Sequence, residues 1–172
     1  GLFEIYKREI NRFESMGRGV VELPTLTEGQ NTAYKSIHSS FKEKDITLLH
    51  GVTSSGKTSI YMHLINDALT LGKQVLYLVP EIALTTQLTQ RLRRVFGERL
   101  LIYHSKFSDN ERVDIWKRLL DTQEPCVIIG VRSSVFLPYS NLGLVIVDEE
   151  HDSSYKQQDP APRYNGRNAA LI

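Results

Sequence analysis

The stretch Gly51-Val52-Thr53-Ser54-Ser55-Gly56-Lys57-Thr58 decides the fold of this 172-residue chain. It follows a short apolar run at 46–50 and precedes a segment of helical apolar spacing at 57–70. The stretch fits the pattern G-x-x-x-x-G-K-S/T in the strand–loop–helix context that a phosphate-binding loop requires. Small residues let successive backbone N–H groups converge on phosphate oxygens, and the helix N-terminus adds its positive dipole end. A chance glycine turn before a helix is the alternative interpretation.

Several side chains of this loop have candidate roles in nucleotide binding. Lys57 would reach the β- and γ-phosphates, and the Thr58 hydroxyl would ligate Mg²⁺. The candidate nucleotide-binding residues of the loop are Gly51, Thr53, Ser54, Ser55, Gly56, Lys57, Thr58 and Ser59.

Beyond the loop, short apolar runs alternate with stretches of helical periodicity. The predicted strands are 46–50, 74–79, 100–103, 126–130 and 144–148, and the predicted helices between them are 57–70, 81–95 and 108–121. The apolar stripes of these helices are Ile60, Leu64, Ala68 and Leu71, then Leu84, Leu88, Leu92 and Val95, then Val113, Trp116 and Leu120. Strands that are apolar at nearly every position are typical of a parallel sheet covered on both faces. We therefore predict an α/β fold, with a parallel β-sheet sandwiched by helices.

The flanking segments differ from this core. Apolar residues at helical spacing predict a lead-in helix at 2–15, so we expect 1–24 to link to a preceding domain and 25–172 to form the main domain. Thr27 opens a predicted helix, and the polar, proline-containing stretch from Asp152 predicts a loop.

An acidic box, Asp148-Glu149-Glu150-His151, closes the last predicted strand. This position puts Asp148 at the carboxyl edge of the sheet, where open α/β sheets bind ligands. Asp148 would hold Mg²⁺ through a water opposite Thr58, and Glu149 would orient and deprotonate the attacking water. The alternative interpretation is a solvated acidic turn. His151 is either a relay towards bound DNA or an ordinary loop residue.

Composition excludes several classes of protein. The chain has 21 Lys+Arg against 20 Asp+Glu, which argues against a polybasic tail, and the arginines at 91, 93, 94 and 99 are interpreted as a solvated helix face. The single Cys126 excludes a disulfide framework or a cysteine-rich zinc site in these residues. No apolar run approaches the ~18 residues that span a bilayer, and no signal peptide opens the chain. We expect a soluble, intracellular protein with no membrane partner.

Four segments carry a resemblance to a known family. They are the phosphate loop, Val79-Pro80-Glu81-Ile82-Ala83-Leu84-Thr85, Ile129-Gly130-Val131-Arg132-Ser133 and Asp148-Glu149-Glu150-His151-Asp152-Ser153-Ser154-Tyr155-Lys156-Gln157-Gln158. From about Leu26 to its end the chain resembles the primosomal replication-restart DNA helicases of helicase superfamily two. Ser54 stands where that family usually has glycine, and serine keeps the turn if its φ is negative.

The resemblance implies a RecA-like ATP-binding lobe of a DNA helicase with ATP and Mg²⁺ as cofactors. Gln30, with Thr27, would read adenine; the structural alternative is a capping box formed by Thr27 and Gln30, and the two roles are compatible. Contacts with the DNA backbone are implied for Thr85, Gln87, His104, Ser105, Arg132 and Ser133. In an aromatic-rich loop, Tyr155 and Tyr164 would stack on bases while Lys156 and Arg163 contact phosphates.

The resemblance also implies partners and missing parts. The partners would be single-stranded and forked DNA, primosome proteins and single-strand-binding proteins, in the nucleoid of the cytoplasm. We expect the second lobe with its arginine finger, and the family's zinc module, to lie outside these residues. The isolated chain should then be nearly inactive.

Other classes of protein account for less of the sequence. A GTPase would need a guanine-reading Asn-Lys-x-Asp, which the chain lacks, and a kinase leaves the acidic box unexplained. A nucleotide-dependent DNA-binding module without hydrolysis, or a DNA translocase that does not unwind, remains as an alternative.

Overall fold

The computed structural model describes residues 22–51, 55–104 and 108–172. The predicted lead-in helix, and the candidate residues Thr53, Ser54 and Ser105, lie outside the described residues. The predicted domain boundary at residue 24 stays a prediction. Leu23 packs against the main core, and a ring nitrogen of His63 lies 2.8 Å from the Pro24 carbonyl oxygen.

A four-stranded parallel sheet forms the centre of the described part. Its strands are β1 (Gln74–Leu78), β2 (Leu100–Tyr103), β3 (Val127–Gly130) and β4 (Leu142–Val147), in the spatial order β2-β3-β1-β4. Every residue of β1 and β3 is buried, as expected for strands covered on both faces. The predicted α/β class is confirmed.

Helices cover the two faces of this sheet. They are α1 (Glu28–Ser40), α2 (Lys57–Thr70), α3 (Thr86–Phe96), α4 (Asp109–Asp121) and the short α5 (Gly166–Ala169). Val75, Tyr77 and Val79 share one core cluster with α2 and α3, whereas Leu76 and Leu78 face Tyr155 on the other side. No helix in the described residues is both long and apolar enough to cross a membrane.

The predicted strand at 46–50 is wrong. These described residues have no regular secondary structure and form no strand pairing. Ile46 and Leu48 are exposed, Leu48 by 74%, while Leu49 packs against two core clusters. The run is therefore covered on one side only, although its apolar composition had indicated burial on both faces.

Two predicted helices differ from the structure. The helix predicted at 81–95 is a 3-10 turn, Glu81–Ala83, followed by α3, because the Thr85 hydroxyl accepts from Leu88 N at 3.2 Å and caps a new helix start. In α4 the predicted apolar stripe is exposed, with Trp116 44% accessible, and Ile115 and Leu119 face the core instead. Two adjacent faces of α4 carry apolar residues, so helical periodicity alone could not identify the buried face.

Smaller corrections concern α2 and the tail. Leu71, assigned to the buried stripe of α2, is exposed just past the end of the helix. The tail is partly regular: Ser153–Tyr155 form a 3-10 turn, and Lys156 pairs with Asn165 in an isolated bridge. These features fold the tail back onto the sheet.

Candidate functional site

Gly56, in the phosphate loop, has a backbone conformation that favours glycine. Its φ of +81° lies in the left-handed region, and a Cβ there would lie 2.2 Å from Gln30 Nε2, so that side chain would also have to move. Gln30 Nε2 contacts the Ser55 and Gly56 carbonyl oxygens at 3.4 and 3.5 Å. The start of α1 therefore packs directly on the loop.

Gln30 also completes a capping box with Thr27. Thr27 N donates to Gln30 Oε1 at 2.9 Å, and Gln30 N donates to Thr27 Oγ1 at 3.3 Å. The capping-box interpretation is confirmed, and the adenine-reading role stays a prediction.

Lys57 brings the phosphate loop and the acidic box together. Its Nζ donates to the Gly51 carbonyl oxygen at 2.8 Å and lies 3.9 Å from Glu149 Oε1. An ammonium group has three donors, so one bond to Gly51 leaves others for phosphate oxygens. The neighbouring Thr58, on the first turn of α2, is half-buried.

Asp148 is held by both its backbone and its carboxylate. Asp148 N donates to the Leu78 carbonyl oxygen at 2.9 Å, which extends the β1–β4 pairing by one residue. Its Oδ2 accepts from the Tyr77 hydroxyl at 2.9 Å, and its Oδ1 accepts from Glu149 N at 3.1 Å. Burial, and secondarily the Asp148 charge, raise the pKa of Tyr77 well above its ordinary value. Tyr77 therefore remains a hydrogen-bond donor at neutral pH.

Glu149 has a strained backbone, with φ at +47°. Non-glycine residues rarely adopt this left-handed region, and such strain is concentrated at functional sites. Its carboxylate lies between Lys57 and His151, whose Nε2 is 3.8 Å from Glu149 Oε2. The His151 side chain is 75% exposed, so the site opens to solvent here.

The chemistry of the Thr58 hydroxyl and the Asp148 carboxylate suits a hydrated magnesium ion. Among the described residues, no three His, Cys, Asp or Glu side chains converge as a metal-binding group. Mg²⁺ keeps several waters and is usually bound through one or two carboxylates together with substrate phosphates. Thr58 and Asp148 supply oxygen donors of that kind, beside a loop that can hold the phosphates.

Ser59 and Arg91 form a contact that the sequence did not reveal. Arg91 Nη2 donates to Ser59 Oγ at 2.9 Å, and Ser59 is buried. Arg91 is exposed, as the interpretation of a solvated helix face requires, and its guanidinium also joins α3 to α2. Ser59 faces α3, whereas the sequence had placed it among the nucleotide-binding residues.

A cleft lies beyond the carboxyl ends of β1 and β3. It has a volume of about 200 Å³ and is lined by Val79, Glu81, Val131, Arg132, Ser133, Ser154, Gln157 and Tyr164. Arg132 Nη1 donates to the Ser154 carbonyl oxygen at 3.1 Å, and the Tyr164 ring packs edge-on against Phe136. Three predicted DNA-contact residues, Arg132, Ser133 and Tyr164, are thus brought together.

Tyr155 is not available for stacking on bases. It is 1% exposed, and its hydroxyl donates to the Asp148 carbonyl oxygen at 2.6 Å. The predicted stacking role is therefore wrong, because the turn at Ser153–Tyr155 directs this ring into the core. Tyr155 instead ties the tail to the acidic box.

The other described candidates for DNA contact lie at the start of α3, after β2 and in the tail. Thr85 caps α3, Gln87 is exposed on its first turn, and His104 follows β2. Within the tail, Lys156 Nζ donates to the Arg163 carbonyl oxygen at 2.6 Å, and Arg163 Nη2 lies 3.3 Å from Asp159 Oδ1. These bonds shape the tail and leave the DNA roles as predictions.

Tyr77 and Arg167 are further residues that sequence reasoning missed. A tyrosine in a fully buried strand is itself a signal, because its hydroxyl needs a partner. Arg167 Nη1 pairs with Glu150 Oε2 at 2.6 Å, which joins α5 to the acidic box.

Comparison with known proteins defines the class of this site. Residues 27–166 match the DEAD/DEAH box helicase family, and the chain belongs to that family. Membership implies binding of a nucleotide with a divalent metal ion, and binding of nucleic acid.

Within this family the chain is similar to proteins named Replication restart protein PriA. The relative from Synechocystis sp. is 43% identical over 171 residues, which are 99% of this chain and 20% of the relative. Those from Bacillus subtilis and Haemophilus influenzae are 42% and 46% identical, over 85% and 86% of this chain and 18% and 20% of their own lengths. The resemblance found in the sequence is confirmed, and the chain spans about a fifth of these relatives.

Proposed function

We propose that this chain is the ATP-binding lobe of an ATP-dependent DNA helicase that acts in replication restart. ATP hydrolysis would drive DNA translocation and unwinding in the full-length protein. The observation that carries the proposal is the 3.9 Å approach of Lys57 Nζ to Glu149 Oε1. It joins the phosphate loop to the acidic box, the two halves of a hydrolytic nucleotide site.

The residues divide the chemistry among them. The loop amides and Lys57 bind the phosphates, and Thr58 and Asp148 hold Mg²⁺, which neutralises phosphate charge when bound. Glu149 orients the attacking water and accepts its proton. Gln30 reads adenine from the edge of the loop that it already contacts. His151, exposed beside Glu149, relays nucleotide state towards DNA.

The cleft lined by Arg132, Ser133 and Tyr164 is the proposed DNA side of the lobe. Arg132 and Ser133 would contact the phosphate backbone, and Tyr164 would offer its ring to a base. The further contacts proposed are Thr85, Gln87, His104, Ser105, Lys156 and Arg163. Primosome and single-strand-binding proteins as partners, and a place at the nucleoid in the cytoplasm, follow from the resemblance.

ATP turnover by a full-length protein that carries this chain tests the proposal. Phosphate release should rise when single-stranded DNA is added, and a forked duplex should be unwound only with ATP. Turnover that ignores DNA would contradict the helicase assignment. Stimulated turnover without strand separation would instead indicate a translocase.

Gln30→Ala should weaken the preference for ATP over GTP by about tenfold, because a paired amide contact to adenine is worth ~1–3 kcal/mol. It should also lower the melting temperature by a few degrees, since a capping residue contributes ~1 kcal/mol. Competition binding with the two nucleotides measures the selectivity.

Glu111→Ala is the matched control for this change. Glu111 completes the same kind of capping box with Ser108 at the start of α4. It should lower the melting temperature and leave nucleotide selectivity alone. If Gln30→Ala behaves in the same way, Gln30 is only a capping residue.

The 172 residues made as an isolated polypeptide should bind ATP weakly and hydrolyse it near background. The second lobe of such helicases supplies an arginine finger, worth about 10³–10⁵ in rate in phosphoryl transfer. Phosphate release, with and without single-stranded DNA, should be compared with that of the full-length protein. Stimulated turnover close to the full-length rate would contradict the two-lobe argument unless the polypeptide dimerised.

A further inference from the structure

The sheet brings a buried tyrosine to the metal-binding end of β4. Tyr77 lies in β1, and its side chain is fully buried. In the parallel pairing of β1 with β4, Tyr77 lies opposite Ile146. Side chains alternate along a strand, so Asp148, two residues beyond Ile146, lies on the same face as Tyr77. The strand register itself therefore directs the tyrosine hydroxyl towards this carboxylate.

The contact leaves Asp148 little freedom to rotate. Tyr77 donates to Oδ2 at 2.9 Å, and Glu149 N donates to Oδ1 at 3.1 Å, so both carboxylate oxygens are engaged. The Tyr61 hydroxyl also interacts with the Asp148 carboxylate, which contributes to the raised pKa of Tyr61 after the larger effect of burial. A carboxylate has about four acceptor positions, and the remaining ones can meet the waters of a hydrated cation. The Asp148 side chain is thus aimed while still able to accept further bonds.

Tyr61, in α2, packs against the Tyr77 ring. Its ring meets the Tyr77 ring edge-on, with centroids 5.6 Å apart and an interplanar angle of 72°. Tyr61 is one helical turn beyond Lys57 and Thr58 in α2. The phosphate-loop helix therefore packs against the residue that orients the acidic box.

We propose that Tyr77 is a positioning residue that fixes the Asp148 carboxylate for a divalent metal ion. It acts through Asp148 and touches neither nucleotide nor metal. Hydrogen-bonding partners of metal ligands commonly determine ligand orientation in this way. The inference rests on the proposed function, in which Asp148 and Thr58 hold Mg²⁺.

Tyr77→Phe tests the inference by deleting one hydroxyl and keeping the ring. In the full-length protein, binding of a fluorescent ADP analogue should be titrated with Mg²⁺. The Mg²⁺ concentration at half-maximal binding should rise about tenfold, the low end of the effect seen for such partners. Binding of the same analogue in excess EDTA should not change, because Tyr77 does not contact the nucleotide.

Tyr34→Phe is the matched control. The Tyr34 hydroxyl donates to Asp67 Oδ2 at 2.5 Å, so it also joins two elements of the fold. Asp67, however, lies in the last turn of α2, far along the helix from Thr58. Tyr34→Phe removes the same kind of hydroxyl–carboxylate hydrogen bond and should leave the Mg²⁺ dependence of nucleotide binding unchanged. Comparable melting temperatures would show that the two losses are structurally alike.

Asp148→Asn supplies the second measurement. If Tyr77 acts through Asp148, Tyr77→Phe should add no further change to the Mg²⁺ dependence of the Asp148→Asn protein. An additive effect would overturn the inference.

The remaining outcomes are also decisive. An unchanged Mg²⁺ dependence in Tyr77→Phe would overturn the inference. An equal loss of binding in EDTA, with a melting temperature well below that of Tyr34→Phe, would assign Tyr77 to the core alone and overturn it too. Wild-type binding without any Mg²⁺ dependence would instead contradict the proposed metal role of Asp148 and Thr58.

Discussion

Lys57→Ala should reduce ATP hydrolysis to background in the full-length protein while the fold stays intact. Loss of a preorganised charge that stabilises the transition state costs about 10²–10³ in rate. Lys57 Nζ lies 3.9 Å from Glu149 Oε1, so alanine removes positive charge from the centre of the site. Steady-state phosphate release, with circular dichroism as a check on the fold, measures the effect.

Lys73→Ala is the control for that experiment. Lys73 also uses its Nζ in a hydrogen bond, at 2.8 Å to Asn141 Oδ1, but it precedes β1 at the opposite edge of the sheet. Its substitution should leave turnover near that of the wild type. Hydrolysis at the wild-type rate in Lys57→Ala would remove the phosphate-loop assignment.

The parts of the fold that sequence predicts well are those with strong local signals. The helix predicted at 57–70 and the strand predicted at 100–103 match α2 and β2 at both ends. A glycine-rich loop sets the start of α2, and the Thr27 capping box sets the start of α1. Such features depend on residues close together in the chain, so one sequence is sufficient to find them.

Burial is harder to predict, because it depends on which neighbour is present. The 46–50 run and the stripe at Trp116 are apolar enough for the core, yet Ile46, Leu48 and that stripe are exposed in the structure. In α4 two adjacent faces compete, and only the packing of β2 and β3 selects Ile115 and Leu119. Periodicity identifies the elements and leaves the choice of face open.

Contacts between distant residues lie beyond the reach of sequence reasoning here. The Tyr77–Asp148 bond requires the order β3-β1-β4 and a specific register between β1 and β4. Likewise, the sequence predicts that Tyr155 stacks on bases, whereas the turn Ser153–Tyr155 buries its ring and directs its hydroxyl to the Asp148 carbonyl oxygen. Strand order and the path of the tail could not be predicted from the sequence, so neither contact could be predicted.

Glu149→Gln should preserve binding of Mg²⁺-ATP and lower turnover by about 10²–10⁴, the usual contribution of a general base. Glutamine keeps the size of the side chain and the same strained φ, so the substitution changes charge and proton acceptance alone. Asp148 would still hold the metal, since its bonds to Tyr77 and to the backbone N–H of residue 149 do not involve this carboxylate. Nucleotide binding and phosphate release should be measured on the same full-length preparation.

Glu150→Gln tests whether removing any negative charge from the acidic box is enough to lower turnover. The Glu150 carboxylate pairs with Arg167 at 2.6 Å and is therefore engaged with the tail, whereas Glu149 lies beside Lys57. Glutamine at 150 should leave most of the turnover intact, because the amide oxygen can still accept from Arg167. If Glu149→Gln loses binding together with turnover, Glu149 is a metal ligand or a structural residue. The different effects of the substitutions at Glu149 and Glu150 would then come from metal binding or structure rather than from proton transfer.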